Sequence, residues 1–156
     1  MSEFPFRLRP AAESDLGFIL STWLNGATEA WDTAKRTDVS AWSSTGIRVG
    51  HFADLTRKFT RDAVTSILQR PDCRAVVACD VEDDDVIYGY AVAEPGARIV
   101  HWVCVKHQFK RRGIAHDMVA SLVPDAERGV VCTYLPSGFV AMQSKWPVRF
   151  DPHAGK

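Results

Sequence analysis

The sequence predicts a single α/β domain over residues 1–156, with a mixed, mostly antiparallel central sheet flanked by helices. Two observations predict it. Three strand-like segments separated only by turns indicate an antiparallel meander, at 74–80, 86–93 and 98–105. The last of them is followed by a helical and then another strand-like segment, at 113–122 and 129–134, which implies a right-handed parallel crossover. No repeat or linker indicates a second domain.

The elements before the meander follow from apolar spacing. Residues 6–9 alternate apolar and basic side chains before Pro10, as a short edge strand does. A helix follows with Ser14 or Asp15 as its cap, and its apolar stripe consists of Leu16, Ile19, Leu20, Trp23 and Leu24. Residues 27–49 are polar and predict a loop. A second helix carries an apolar side from Phe52 to Leu68 and ends before Pro71.

Composition narrows the class of protein. Hydrophobic residues make up 46% of the chain and charged residues 24%, which is ordinary for a globular protein in water. The formal net charge is zero, so no global field recruits nucleic acid or an anionic membrane. The N-terminus lacks a signal-peptide pattern, and no apolar run approaches the roughly 20 residues of a bilayer span. We therefore expect a cytoplasmic protein with no membrane partner.

Cysteine usage agrees with that compartment. The four cysteines are Cys73, Cys79, Cys104 and Cys132, and no two of them have C-x-x-C spacing. The last three lie in strand-like apolar runs, which predicts buried reduced thiols rather than zinc ligands. No metal is expected.

The strongest motif is the stretch 103–115, in which a strand passes through a basic loop into a helix. Three consecutive cations precede the glycine that opens this helix, Lys110, Arg111 and Arg112. The N–H groups at a helix start have no acceptor within the helix and bind anions, and neighbouring cations strengthen the effect. The stretch therefore predicts a diphosphate site.

The same stretch, in this order of elements, resembles the GNAT superfamily of acyl-CoA-dependent N-acetyltransferases. The superfamily signature is Arg or Gln, two residues, Gly, one residue, then Gly or Ala; Lys110, Gly113 and Ala115 stand at these positions, with lysine in place of Arg or Gln. The resemblance implies acetyl-CoA as the acyl donor. Its pyrophosphate would bind to the loop residues Lys110, Arg111, Arg112, Gly113, Ile114 and Ala115, and its pantetheine arm to the main chain of Val103 and Val105.

A thioester donor implies a nucleophilic acceptor, most often an amine. An alkyl amine has a pKa of about 10.4, so it needs a base at neutral pH. His101 is the candidate, because strand alternation over 99–105 predicts that it shares a face with Val103 and Val105. A histidine implicated as the base occupies the corresponding strand position in one member of the superfamily. His107 in the loop and Glu94, acting through water, are the rivals.

The rest of the expected mechanism is also implied by the resemblance. The oxyanion would bind a strand N–H near Val103. The usual leaving-group acid, a tyrosine on the last helix, is absent because no tyrosine follows Tyr134; Tyr134 itself, Ser137 or water would substitute. Cys104 is predicted on the strand face opposite His101, which favours direct transfer in a ternary complex over an acyl-cysteine route.

The acceptor is an amine-bearing small molecule or protein that the sequence leaves unspecified. In the superfamily its pocket involves the first two helices and the end of the chain. Aromatic residues occupy those regions, with Trp23 predicted in the core and the others as candidate pocket walls, namely Trp31, Trp42, Phe139 and Trp146. Exposed edge strands allow a homodimer.

Two other functions remain open at this level. One is a catalytically inactive acyl-CoA-binding module. The other is a nucleic-acid-directed modifying protein that uses the basic loop on phosphates, which the zero net charge disfavours.

Overall fold

The computed structural model describes residues 4–25, 61–133, 146–151 and 154. In this part of the chain, six strands form one sheet in the order β1-β2-β3-β4-β5-β6. The strands are β1 (Arg7–Pro10), β2 (Arg74–Cys79), β3 (Ile87–Glu94), β4 (Ile99–Val105), β5 (Val130–Cys132) and β6 (Val148–Phe150). Pairing is antiparallel from β1 to β4 and parallel from β4 to β6.

Three helices flank the sheet within the described ranges. Helix α1 covers 16–25, α2 covers 61–68, and α3 is Ile114–Leu122. Short 3-10 turns cover Glu13–Asp15, Pro95–Ala97, His107–Phe109 and Ala126–Arg128. The predicted loop at 27–49 and the predicted first turns of the second helix lie outside the described residues.

The predicted fold class is confirmed. The meander is β2–β3–β4, the crossover is β4–α3–β5, and the predicted edge strand is β1 at the edge of the sheet. Strand β6 was not predicted, because three residues after Pro147 are too few to reveal a period of two. Strand β5 is also shorter than predicted, since pairing stops at Cys132.

Helices α1 and α2 cover one face of the sheet. Ile19 and Trp23 of α1 and Val64 and Ile67 of α2 are buried in one cluster with β-strand side chains that include Trp102. The rings of Trp23 and Trp102 stack with centroids 5.8 Å apart at an interplanar angle of 15°. The predicted core role of Trp23 is therefore confirmed.

Helix α3 covers the other face, where its apolar stripe meets the central strands. Met118 and Ile114 pack with Val76 and Ala78 of β2, and Val119 packs with residues of β4 and β5. Fully burying a side chain of this size contributes about 1.5–3 kcal/mol, so this face fixes the helix whose start forms the basic loop.

Asp15, rather than Ser14, organises the start of α1. Its Oδ2 accepts hydrogen bonds from the Ala12 N–H and from the Arg9 guanidinium, both at 2.7 Å. The hydrogen bond from Arg9 lowers the pKa of Asp15 against the opposing effect of burial. A capping carboxylate paired to β1 ties the helix to the sheet edge.

Gly89 allows β3 and β4 to approach closely. A Cβ built at this position would lie 2.5 Å from the Cys104 carbonyl oxygen, a backbone atom that cannot move without disturbing β4. Gly89 therefore has to lack a side chain for the central pair of strands to keep its register.

We expect Gly89→Ala to lower the free energy of unfolding by roughly 1–3 kcal/mol, the usual cost of overpacking. Chemical denaturation monitored by circular dichroism measures it. Gly17→Ala is the matched control, because Gly17 lies in α1 with nothing within 4 Å of the added Cβ. The control should be neutral or stabilising by up to about 1 kcal/mol. Equal stability of the two variants would contradict the packing argument.

Candidate functional site

His101 is the inserted residue of a β-bulge in β4. Val92 pairs with Trp102 and Ala93 pairs with Val100, so His101 has no opposite residue on β3. A bulge interrupts the alternation of side chains and re-aims the extra one. The predicted alternation over 99–105 is therefore wrong at His101: Val100, not His101, packs in the α3-side cluster with Val103.

The bulge directs the imidazole of His101 into a buried chain of polar side chains. Its Nε2 lies 3.0 Å from Oε1 of Glu94, and its Nδ1 lies 2.8 Å from Oγ1 of Thr133. Arg70 donates from Nη1 to the same Oε1 of Glu94 at 2.6 Å. His101 is 1% exposed, Thr133 4% and Glu94 8%. The histidine is thus bonded to side chains at both nitrogens.

Burial and hydrogen bonding keep His101 and Glu94 in one protonation state near neutral pH. Burial lowers the pKa of His101, and the hydrogen bond and charge of Glu94 oppose the shift without cancelling it. Burial alone would raise the pKa of Glu94, but hydrogen bonds from Arg70 and His101 outweigh it and the net shift is downward. The pair is therefore a neutral imidazole beside a carboxylate, which is the state a proton acceptor requires.

Beyond the bulge, one edge of β4 carries main-chain groups that no described residue of the sheet pairs. The Lys106 N–H donates to the Tyr88 carbonyl at 2.8 Å. By the register of the two strands, the main-chain groups of Cys104 and Trp102 point toward β3 as well. In an antiparallel pair the intervening residues face the other side, so Val103 and Val105 present their N–H and C=O groups there. On that side β5 pairs only with Ile99 and Val100.

The basic loop lies at the far end of the same edge. Gly113 caps α3 in the left-handed region at φ 80°, and Arg111 is also left-handed at φ 64°. The first intrahelical bond runs from the Asp117 N–H to the Gly113 carbonyl, so the N–H groups of the first turn have no acceptor in the helix. Lys110, Arg111 and Arg112 are exposed beside them. The loop thus combines a helix start with three exposed cations, the two features from which the anion site is predicted.

An aromatic cluster supports the loop from beneath. Phe109 packs on Tyr88 with ring centroids 4.2 Å apart, and Phe4 lies 5.3 Å from Tyr88 and 5.7 Å from Phe109. The guanidinium carbon of Arg112 lies 4.6 Å from the Phe4 ring centroid, a cation–π distance. Stacking occupies only a face of the guanidinium and leaves its in-plane N–H groups available to an anion.

The site therefore has two ends joined by one strand edge. Lys106, the residue before the 3-10 turn of the loop, lies five positions after His101. At a strand rise of about 3.3 Å per residue this is roughly 16 Å. The structure brings His101 and Glu94 together, but it separates them from the loop by the length of the open edge.

Several predicted alternatives lie elsewhere. His107 is exposed in the loop turn and far along the strand from Glu94. Trp146 is buried and stacks on His116 with centroids 5.0 Å apart, so it belongs to the core around α3 and not to a pocket wall. Five further candidates lie outside the described residues, namely Trp31, Trp42, Tyr134, Ser137 and Phe139.

The hydroxyl groups of both tyrosines in the described ranges already donate hydrogen bonds to other protein groups. Tyr90 donates to the Ile19 carbonyl at 3.1 Å and accepts from Thr22 at 2.9 Å, and burial raises its pKa. The Tyr88 hydroxyl donates to Asp80 at 2.6 Å. Neither one replaces the acid that the family resemblance implies.

Sequence reasoning missed Arg70 and Thr133. Arg70 follows the end of α2 and Thr133 follows β5, and neither carries a local motif. Only the pairing of β4 with β5 and the packing of α2 on the sheet reveal them. Among the described residues there is no group of three His, Cys, Asp or Glu side chains arranged to hold a metal ion. Nor is any helix in those ranges long and apolar enough to cross a membrane.

We expect Phe4→Ala to loosen the basic loop because it removes the ring on which Arg112 rests. Hydrogen exchange of the amides at 110–116 measures it, and these amides should exchange about tenfold faster in the variant. Phe6→Ala is the matched control, since Phe6 packs against the same cluster without a stacking contact to Arg112. Equal exchange in both variants would show that the cation–π contact does not order the loop.

Comparison with protein-family models finds no match, and comparison with curated proteins finds none. Solved structures similar to the chain include apo YjaB from Escherichia coli, at 13% identity over 78% of this chain and 68% of that one (TM-score 0.47). Another is the PaiA N-acetyltransferase from Thermoplasma acidophilum in complex with coenzyme A, at 16% identity over 76% and 69% (TM-score 0.43). A third is the aminoglycoside N-acetyltransferase AAC(6')-Iy in complex with CoA, at 15% identity over 94% and 76% (TM-score 0.42).

The chain's own architecture decides the fold. The antiparallel meander, the parallel crossover through α3 and the basic loop between β4 and α3 are all present as the resemblance implies. The chain therefore has the mixed sheet and the strand–loop–helix crossover that the family resemblance implies.

Proposed function

We propose that the chain is an acyl-CoA-dependent N-acetyltransferase that transfers an acetyl group from acetyl-CoA to an amine by direct attack in a ternary complex. One observation carries the proposal: a helix start beside three cations and a buried histidine–carboxylate pair lie at the two ends of a β4 edge that no described residue of the sheet pairs. A long donor with an anionic end and a reactive end fits such an edge.

The basic loop would hold the diphosphate of the donor. The first-turn N–H groups at Ile114 and Ala115 supply donors, and Lys110, Arg111 and Arg112 supply charge. An anion at a helix start gains about 0.3–1 kcal/mol, so several such contacts are needed for useful affinity. The main-chain groups of Val103 and Val105 would pair with the amides of the pantetheine arm as a neighbouring strand does.

His101 would serve as the general base. Its imidazole is neutral at pH 7 because burial lowers its pKa, so it has a lone pair available for a proton from the amine. The imidazolium formed would face the Glu94 carboxylate at 3.0 Å, which stabilises the charge. Glu94 in turn is oriented by Arg70.

Cys104 supports direct transfer over an acyl-cysteine route. Burial raises the pKa of its thiol against the opposing charges of Lys110 and Lys106, so the thiolate needed for nucleophilic attack is disfavoured. The N–H of Val103, on the open edge two residues past His101, would stabilise the developing oxyanion. The acceptor remains an amine-bearing small molecule or protein.

Titration calorimetry with acetyl-CoA tests the proposal first. We expect binding at submillimolar concentration, and about tenfold weaker binding by the Lys110→Gln, Arg111→Gln double variant, which removes two of the loop charges. Arg128→Gln is the matched control, since Arg128 is an exposed arginine on the turn before β5. No binding by the wild-type chain would overturn the proposal.

Thiol release against a panel of amines then distinguishes the remaining functions. Binding of acetyl-CoA without turnover would favour the inactive acyl-CoA-binding module. Salt-dependent DNA binding that coenzyme A displaces would favour the nucleic-acid-directed protein, with both ligands on the loop.

We expect kcat/KM to fall as the pH drops through the lowered pKa of His101, with a midpoint below 6.5. The charge of Glu94 raises this pKa and that of Arg70 lowers it. Glu94→Gln should therefore move the midpoint to lower pH, and Arg70→Met should move it to higher pH. A pH profile of each variant measures both shifts, and shifts of the same sign would contradict the assignment of the acid limb to His101.

A further inference from the structure

His101 cannot meet an amine directly in the observed arrangement. Both nitrogens of its ring are already occupied by side chains. A carboxylate only accepts hydrogen bonds, so Glu94 assigns the ring hydrogen to Nε2 and leaves a lone pair on Nδ1. That lone pair accepts the hydroxyl hydrogen of Thr133 at 2.8 Å. Any proton that reaches Nδ1 therefore passes through the position of this hydroxyl.

Thr133 stands where β5 leaves β4. Its N–H donates to the Val100 carbonyl at 3.2 Å, and this is the last bond between the two strands among the described residues. The next residues of β4 belong to the open edge. The hydroxyl thus contacts the imidazole at the residue where β5 stops pairing with β4, next to the start of the edge on which the donor would bind.

Glu94 offers the other conceivable route, through its Oε2. Both Arg70 and His101 bond to Oε1, but these same contacts lower the pKa of the carboxyl and make it a weak proton acceptor. Glu94 also lines a cavity of about 520 Å³ at the ends of β2 and β3, with Asp72 and Arg74, on the side away from β5. The geometry therefore favours the hydroxyl over the carboxylate.

We propose that Thr133 is a catalytic proton relay between the acceptor amine and His101. The inference rests on the proposed acetyltransferase function and adds a residue to it. As the amine nitrogen bonds to the thioester carbon, its proton passes to Oγ1 of Thr133 while the hydroxyl proton passes to Nδ1 of His101. The carbon–sulfur bond breaks, its electron pair leaves on sulfur, and the imidazolium proton returns through Oγ1 to the thiolate. Thr133 and His101 end as they began.

The relay predicts different outcomes for two substitutions of Thr133. Thr133→Ser keeps the hydroxyl and should retain kcat within about fivefold. Thr133→Val keeps the shape but loses the hydroxyl, so kcat should fall about 10²–10³-fold, within the range of general acid–base catalysis, with the affinity for acetyl-CoA unchanged. Thr22→Val is the matched control, a partly buried threonine bonded to Tyr90 on α1, and it should leave kcat unchanged.

The pH profile separates a relay from a merely structural role. If the hydroxyl carries the proton, Thr133→Val should also lose the acid limb that His101 imposes on kcat/KM, because His101 is disconnected from the amine. If Thr133 only supports the fold, the variant keeps this limb at reduced activity, and the relay is overturned. Wild-type kcat in Thr133→Val overturns it as well.

Nitrogen-15 NMR of the imidazoles gives a readout that does not depend on turnover. His101, assigned by its absence in His101→Gln, should be the Nε2–H tautomer in the wild-type chain, and its Nδ1 resonance should shift in Thr133→Val but not in Thr133→Ser. An Nδ1–H tautomer in the wild type overturns the relay. If the wild-type chain binds acetyl-CoA but shows no turnover, the proposed function is overturned. If the wild-type chain turns over and Thr133→Val has the same kcat, only the relay is overturned.

Discussion

The bulge in β4 is the constraint on which the rest of the site depends. His101 is one extra residue opposite Val92 and Ala93, so the alternation of main-chain directions along β4 reverses between Val100 and Trp102. Before the shift, carbonyls of residues 98 and 100 bond to β5; after it, Lys106 bonds to β3 and the odd-numbered residues face the open side. The same insertion that opens the edge therefore also turns the imidazole toward Glu94 and Thr133. The position of the proposed base and the unpaired edge of β4 are thus both consequences of one local irregularity.

The buried chain around His101 balances its charges internally. The positive charge of Arg70 balances the negative charge of Glu94, and the imidazole between Glu94 and Thr133 is neutral. Taking a single charge out of water is expensive, whereas a paired and hydrogen-bonded set costs far less. A proton on His101 would give this buried group of side chains a net positive charge. Because an unbalanced buried charge is unfavourable, the imidazolium would be short-lived. Rapid return of the proton is therefore favoured by the same burial that keeps the base neutral.

Most of the fold could be predicted from the sequence, and only part of the site. The meander and crossover follow from apolar runs and turns, and the basic loop from Gly113 and its three preceding cations, since these signals are local. The bulge at His101 has no such signal, because no glycine or proline marks it and the run from Ile99 to Val105 reads as a regular strand. Thr133 and Arg70 join the site only through contacts between distant segments, which a single sequence does not reveal.

The ring of Phe4 beneath Arg112 has a consequence for how the protein matures. The two residues lie more than one hundred positions apart in the chain, and so do Phe4 and Phe109. Closing a loop of this length costs entropy, and contacts of high sequence separation slow folding. The contact between Arg112 and Phe4 therefore forms only when two distant segments of the chain come together. A polyanion that binds the proposed anion site would therefore shift the folding equilibrium toward the native state.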